Sequence, residues 1–244
     1  MIRLVRAELV KLSTTRLFLW LGLLILALSA FVTSTTILSN QASTLATVSQ
    51  QRSIAQFAAV GAIIALIVGI VLAAGEYTHG TIAHTFLVTP VRVRVVAAKL
   101  VAGAIVGVLV TGFAELVTWT IAAAWISGKS VPFLLDDRSI LKTYLGILGA
   151  GALAAAIGVG LGAFLRRQTA AIVLALIWLL VGEPVLSIAG AQEYAPGHAV
   201  AAVAVAGHRS SELLAFWPGL LVALAYVVVL AAAGAVAVDR SDVS

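Results

Sequence analysis

The chain has 244 residues, 62% of them hydrophobic and only 10% charged, with a mean hydropathy of +1.13. Soluble domains use nearer a quarter charged residues, so a water-soluble globular fold is excluded. The absence of cysteine removes disulfide frameworks and thiolate metal sites. The net charge of +5 fits cations gathered in the cytoplasmic loops of a membrane protein better than a nucleic-acid surface.

At the N-terminus, residues 1–16, Ile2, Val5, Leu9 and Leu12 recur at helical spacing on one face, with Arg3, Glu8 and Lys11 elsewhere. This basic pattern, which also carries Arg6 and Arg16, predicts an amphipathic helix lying in the membrane interface. The apolar run after Arg16 exceeds the roughly 7–15 residues of a signal-peptide core and is read as a retained span. Taking about 20 apolar residues as the length needed to cross a bilayer, six spans are predicted, at 17–38, 57–75, 99–126, 143–165, 169–188 and 217–238. An even number places both termini on one side. Ten cations fall in that side's segments: Arg3, Arg6, Lys11, Arg16, Arg92, Arg94, Lys99, Arg166, Arg167 and Arg240. The opposite side holds five: Arg52, Lys129, Arg138, Lys142 and Arg209. The richer side is expected to be cytoplasmic.

Two connections do not read as plain loops. Between spans 2 and 3 stands GEYTHGTIAHTFLVTPVRVRVVAAK, residues 75–99. Gly80 breaks the preceding helix and Pro90 blocks the next, which leaves 81–88 as about two helical turns with Thr81 as N-cap. Ile82 and Phe86 on such a helix are expected to be exposed and to need a partner that buries them. Between spans 5 and 6, Glu183-Pro184 is expected to interrupt span 5. The apolar run 199–206 is too short to cross and predicts a re-entrant outer hairpin packed in protein or lining a cavity. No internal repeat or linker divides the chain, which reads as one membrane domain over 1–244, all-α and six-helical.

Several motifs dissolve on inspection. Gly128-Lys129-Ser130 has the end of a phosphate-binding loop, but Ala123 stands where its first glycine belongs and a span precedes it. Gly158 and Gly162 form a GxxxG pair suited to helix packing rather than to a dinucleotide. His79 and His84, five apart, and His198 and His208, ten apart, match no metal spacing, and no hydrolase constellation is present. Glu115 lies deep in span 3, where a carboxylate is costly. It is expected to face the bundle interior, held by Thr111, Thr118 or another helix, in a structural or a transport role.

The stretch Glu76, Tyr77, Gly80, Thr81, Ile82, Thr85, Phe86, Pro90, Arg94, Ala97, Ala98 and Lys99 resembles the permease subunits of ATP-binding-cassette exporters of type-2 architecture. The opening Arg6 to Arg16, RAELVKLSTTR, resembles the start of the same permeases. The resemblance implies that residues 81–88 are a coupling helix docking in a cytosolic ATPase, which the N-terminal helix also touches. It further implies that a second permease chain pairs with this one, and that two ATPase copies supply ATP and Mg while this chain binds no cofactor and catalyses nothing. A substrate cavity lined by spans 2 and 5 would include Phe57, Ile64, Leu176 and Trp178, whose apolar character points to a drug, lipid or hydrophobic peptide. Glu76 is expected to pair with Arg94, Lys99 or an N-terminal Arg. The alternatives are an ion-coupled transporter or channel using Glu115 and Glu183, and a non-transporting membrane subunit of a sensor complex.

Overall fold

The computed structural model describes residues 1–13, 16–82, 87, 91–134, 136–206 and 213–239. Among them there is no strand, and six helices are long and apolar enough to cross a membrane. After the N-terminal helix Ile2–Ser13 come span 1 (Leu17–Ser39), span 2 (Val48–Thr78) and span 3 (Arg92–Gly128). Span 4 (Arg138–Leu165), span 5 (Gln168–Ile188), a short helix (Pro196–Ala204) and span 6 (Phe216–Asp239) complete the fold. Spans 2 and 3 are longer than their apolar runs predict, at 31 and 37 residues. At 1.5 Å per residue the second reaches about 55 Å, well beyond the roughly 30 Å hydrocarbon core. Their polar ends, with Arg52 on one and Arg92 and Arg94 on the other, are helical too. A hydropathy window stops at the first polar residue, whereas a helix continues while its backbone bonds are met.

Spans 2 and 4 form the buried centre, against which span 3 also packs. Their approach is set by glycine. A Cβ at Gly158 would stand 2.1 Å from the Leu66 carbonyl oxygen, and one at Gly69 equally close to that of Ala155. Spans 1, 5 and 6 are peripheral and present rows of large apolar side chains outward, among them Trp20, Phe31, Leu180 and Leu221.

Span 2 ends in a double turn that satisfies its last carbonyls. The Thr81 N–H donates to Glu76 O (2.9 Å) and the Gly80 N–H to Tyr77 O (3.3 Å), with Gly80 at φ +68°. This closing motif requires a left-handed residue, which glycine adopts at no steric cost. The coupling-helix positions Thr85, Phe86 and Pro90 lie outside the described residues, as does most of 81–88. Ile82 is described and is 8% exposed, so it is buried within this chain rather than offered to a partner, while Leu87 is open.

Glu183-Pro184 does not interrupt span 5. The helix continues to Ile188 through a π turn at Trp178–Gly182, where the Glu183 N–H bonds Trp178 O. Proline lacks a donor and its ring collides with the carbonyl four residues back in an α-helix; one wider turn relieves both faults. At the C-terminal end of span 1, Lys129 Nζ donates to the carbonyls of Ile37 (2.6 Å) and Asn40 (2.8 Å), so the lysine of the rejected nucleotide motif closes that end. The buried Gln51 pins the loop opposite, donating to Leu45 O and Pro132 O and accepting from the Leu134 N–H. The short helix Pro196–Ala204 packs against spans 4 and 6, its buried face being Ala199, Val200, Ala202, Val203 and Ala204.

Candidate functional site

Four charges meet where the N-terminal helix crosses the ends of spans 2 and 3. Lys99 Nζ lies 2.6 Å from Glu8 Oε2, 3.2 Å from Glu76 Oε2 and 3.0 Å from the carbonyl of Leu72. Lys11 Nζ lies 2.8 Å from Glu8 Oε1 and 2.5 Å from Glu76 Oε1. Two carboxylates and two ammonium groups therefore alternate, each carboxylate sharing its oxygens between both lysines. Burial pushes the Lys11 ammonium down, but the hydrogen bonds to Glu76 and Glu8 outweigh it and hold the group above its ordinary value.

Local sequence explains the geometry. Glu8 and Lys11 are three apart on one helix, and Leu72 and Glu76 four apart on another, so each pair shares a face. Glu8 is buried beside Leu12, with Val5 and Leu9 partly buried against the same core, while Ile2 is 85% exposed. The inward face is thus Val5, Glu8, Leu9 and Leu12, and the expected separation of Glu8 from the apolar side is corrected. Burying an acid there is tolerated because Lys99, itself buried, answers it. Of the cations expected for Glu76, Lys99 is the partner; Lys11 takes the place of an N-terminal arginine. Arg94 is exposed without an ion pair among the described residues, and Arg6 and Arg16 are also exposed. Tyr77 is half-buried next to Glu76.

The second feature is a half-open cavity of about 700 Å³ lined by spans 2, 4, 5 and 6 and the short helix Pro196–Ala204. Trp178 lines it, as expected of a span-5 cavity position. Ile64 is in the core, Phe57 packs on a satellite cluster around Ile37 and Ile126, and Leu176 is half-buried outside the lining. Ile63 and Leu66 supply the span-2 wall instead. Glu183, in the cavity wall, accepts from the Gly197 N–H (2.5 Å) and lies 2.8 Å from His198 Nδ1. The Glu183–His198 contact joins span 5 to the short helix Pro196–Ala204; only the proline beside Glu183 hinted at its place.

Glu115 does not enter the bundle interior. It sits in a shallow groove with Gly112, Leu116, Trp119 and Tyr144. Thr111 and Thr118, one turn to either side of Glu115, are buried, and Thr111 donates to the Gly107 carbonyl of its own helix. Among the described residues Glu115 Oε1 has no hydrogen-bond partner.

The fold and site define a multi-pass helical membrane domain with a cluster of charges at one end and an apolar cavity toward the other. Residues 4–182 match the family described as ABC-2 family transporter protein, and the chain belongs to that family. Both stretches that resemble type-2 permeases lie in the matched region, and they meet physically at the Glu8–Lys11–Glu76–Lys99 cluster. Such chains are membrane subunits of ABC transporters and normally work with a cytosolic ATPase. No individual curated protein matches the chain.

Proposed function

We propose that this chain is the transmembrane subunit of an ABC-2 exporter, pairing with a second permease chain and driven by two cytosolic ATPase subunits that carry the ATP and Mg. Both termini and the ion-pair cluster then face the cytoplasm, in keeping with the bias of lysine and arginine toward that side. The observation that carries the reading is the Glu8–Lys99–Glu76 linkage. It fixes the N-terminal helix, the foot of span 2 and the start of span 3 as one block, and the only chain between the last two is residues 79–91. Motion imposed on that segment by an ATPase is passed to three elements together. Glu76, Tyr77, Gly80, Thr81, Thr85, Phe86, Pro90 and Arg94 belong to the proposed coupling region, with Leu87 as an exposed apolar side chain within it. A Gln168 N–H to Thr78 Oγ1 bond (3.3 Å) extends the block to span 5.

The cavity's apolar walls support a drug, lipid or hydrophobic peptide as cargo. The ion-coupled alternative loses support because Glu115 and Glu183 occupy separate pockets. Co-expression with candidate ATPases tests the proposal: an ATPase should co-purify and drive vesicle transport, and Glu76→Ala or Phe86→Ala should leave hydrolysis running while transport falls. Wild-type transport by both variants in an assembled complex would sink the coupling assignment.

A further inference from the structure

The cavity has walls of one kind and a single charged corner. Ile63 and Leu66 of span 2, Ala154 and Ile157 of span 4, Trp178 of span 5 and Tyr226 of span 6 face it. Among the described residues its carboxylate is Glu183 alone, its imidazole is His198 alone, and no lysine or arginine lines it. The volume lies within the roughly 300–1,000 Å³ of sites that take drug-sized ligands.

The π turn makes this corner. In an α-helix, residues five apart point to different flanks. Here the Glu183 N–H closes on Trp178 O, so residue 183 is stacked over residue 178 and both side chains reach the same wall. The sequence accommodates this with Gly182, where a Cβ would stand 2.9 Å from the indole Cε3. The carboxylate is held in place by two donors, the Gly197 N–H and His198 Nδ1. With a neutral imidazole the corner carries one negative charge; with one more proton shared by the pair it carries none. An anion entering would meet acceptor oxygens and, among the described residues, no cation. A positive group would meet the carboxylate and the indole of Trp178, and both attract it. Tyr226 adds a second ring whose hydroxyl is already spent on the Tyr194 carbonyl (3.1 Å).

We propose that this cavity binds a hydrophobic monocation of drug size, with its charge read by Glu183 and its apolar body held between spans 2, 4, 5 and 6. The inference rests on the transport reading above and narrows its cargo to one charge class.

The test uses the purified full chain in a neutral detergent, without any ATPase. Tetraphenylphosphonium and tetraphenylborate, alike in shape and opposite in sign, are measured separately by equilibrium dialysis. The wild type should bind the phosphonium saturably and at least tenfold tighter than the borate. Glu183→Gln should weaken phosphonium binding about tenfold and bring the two ions together. Gly197→Ala, whose Cβ would stand 2.5 Å from a carboxylate oxygen, should weaken it by displacing Glu183. Equal binding of the two ions by the wild type overturns the proposal, even where the Glu183 variant fails to fold. So does unchanged phosphonium binding in a folded Glu183→Gln. An ATPase that co-purifies with a chain blind to charge sign removes this inference alone, whereas selective binding by a chain that recruits no ATPase removes the transport reading alone.

Discussion

Lys99 and Glu8 are 91 residues apart and meet at 2.6 Å inside the protein, where neither has free access to water. The contact fastens an N-terminal helix of only 12 residues to the long helix of span 3. A helix so short is marginal on its own, so its place depends on this bond and on the burial of Leu12.

Lys99→Met should therefore cost about 3–5 kcal/mol, because it removes the buried cation between Glu8 and Glu76 and leaves them only the half-exposed Lys11. Adding Glu8→Gln should restore part of the loss by removing one of the stranded charges. Thermal unfolding of the two single variants and the double variant in detergent forms a cycle. Additive effects would mean that the two side chains do not interact as the distance indicates.

Lys11 lies at the exposed edge of the same cluster, and Lys11→Met should be mild, at about 1 kcal/mol or less. Its amine is held above the ordinary value of 10.5 in the folded protein. A group raised on folding contributes fully below its unfolded value and loses that contribution only as pH climbs through the folded one. The difference in melting temperature between Lys11→Met and wild type should thus be constant from pH 7 to pH 9. A difference that fades within this window would contradict the raised value.

What the sequence discloses, and what it hides, follows from period and partners. The six spans are readable because a run of about 20 apolar residues fits a bilayer crossing and little else. Gly80 is readable as a helix end, because only a left-handed residue closes that turn. Glu8 escapes a helical-face reading, which assigns charge outward, and its compensating lysine lies in another helix that no local pattern connects to it. Ile64 is the sequence's candidate for the cavity where Ile63 lines it, since one residue rotates a helix by about 100° and nothing in an all-apolar run marks the phase. Pro184 reads as a break because the π turn that absorbs it has no composition of its own.

Glycine spacing gives a sharper test of the centre. Gly158→Ala places a methyl 2.1 Å from the Leu66 carbonyl oxygen, and that obstacle is backbone that cannot rotate away. The variant should lose roughly 1–3 kcal/mol as spans 2 and 4 separate. Gly112→Ala meets only Leu148 Cδ2 at 3.5 Å and should melt with the wild type. Equal melting of the two variants would show that spans 2 and 4 do not touch at Gly158.

Lys129 offers a check on the rejected nucleotide motif. Its ammonium satisfies the Ile37 and Asn40 carbonyls at the end of span 1, so Lys129→Ala should lower stability by about 1–2 kcal/mol. Adding ATP to the isolated chain should not raise the melting temperature of either protein. An ATP-dependent rise that vanished in Lys129→Ala would revive the motif.

Glu115 is the acid whose surroundings give it least. One oxygen is buried without a partner among the described residues, and its neighbours Gly112, Leu116 and Trp119 are carried on the same helix. An unsatisfied buried polar group costs about 1–3 kcal/mol. Glu115→Leu should therefore raise the stability of the isolated chain by an amount of that order, read as a higher melting temperature. Glu115→Gln keeps the shape and removes the proton. ATP-driven transport by that variant should run at the wild-type rate, because the groove is separate from the cavity that holds Glu183. Loss of transport in Glu115→Gln with assembly intact would make the residue a proton carrier and return the ion-coupled mechanism to consideration.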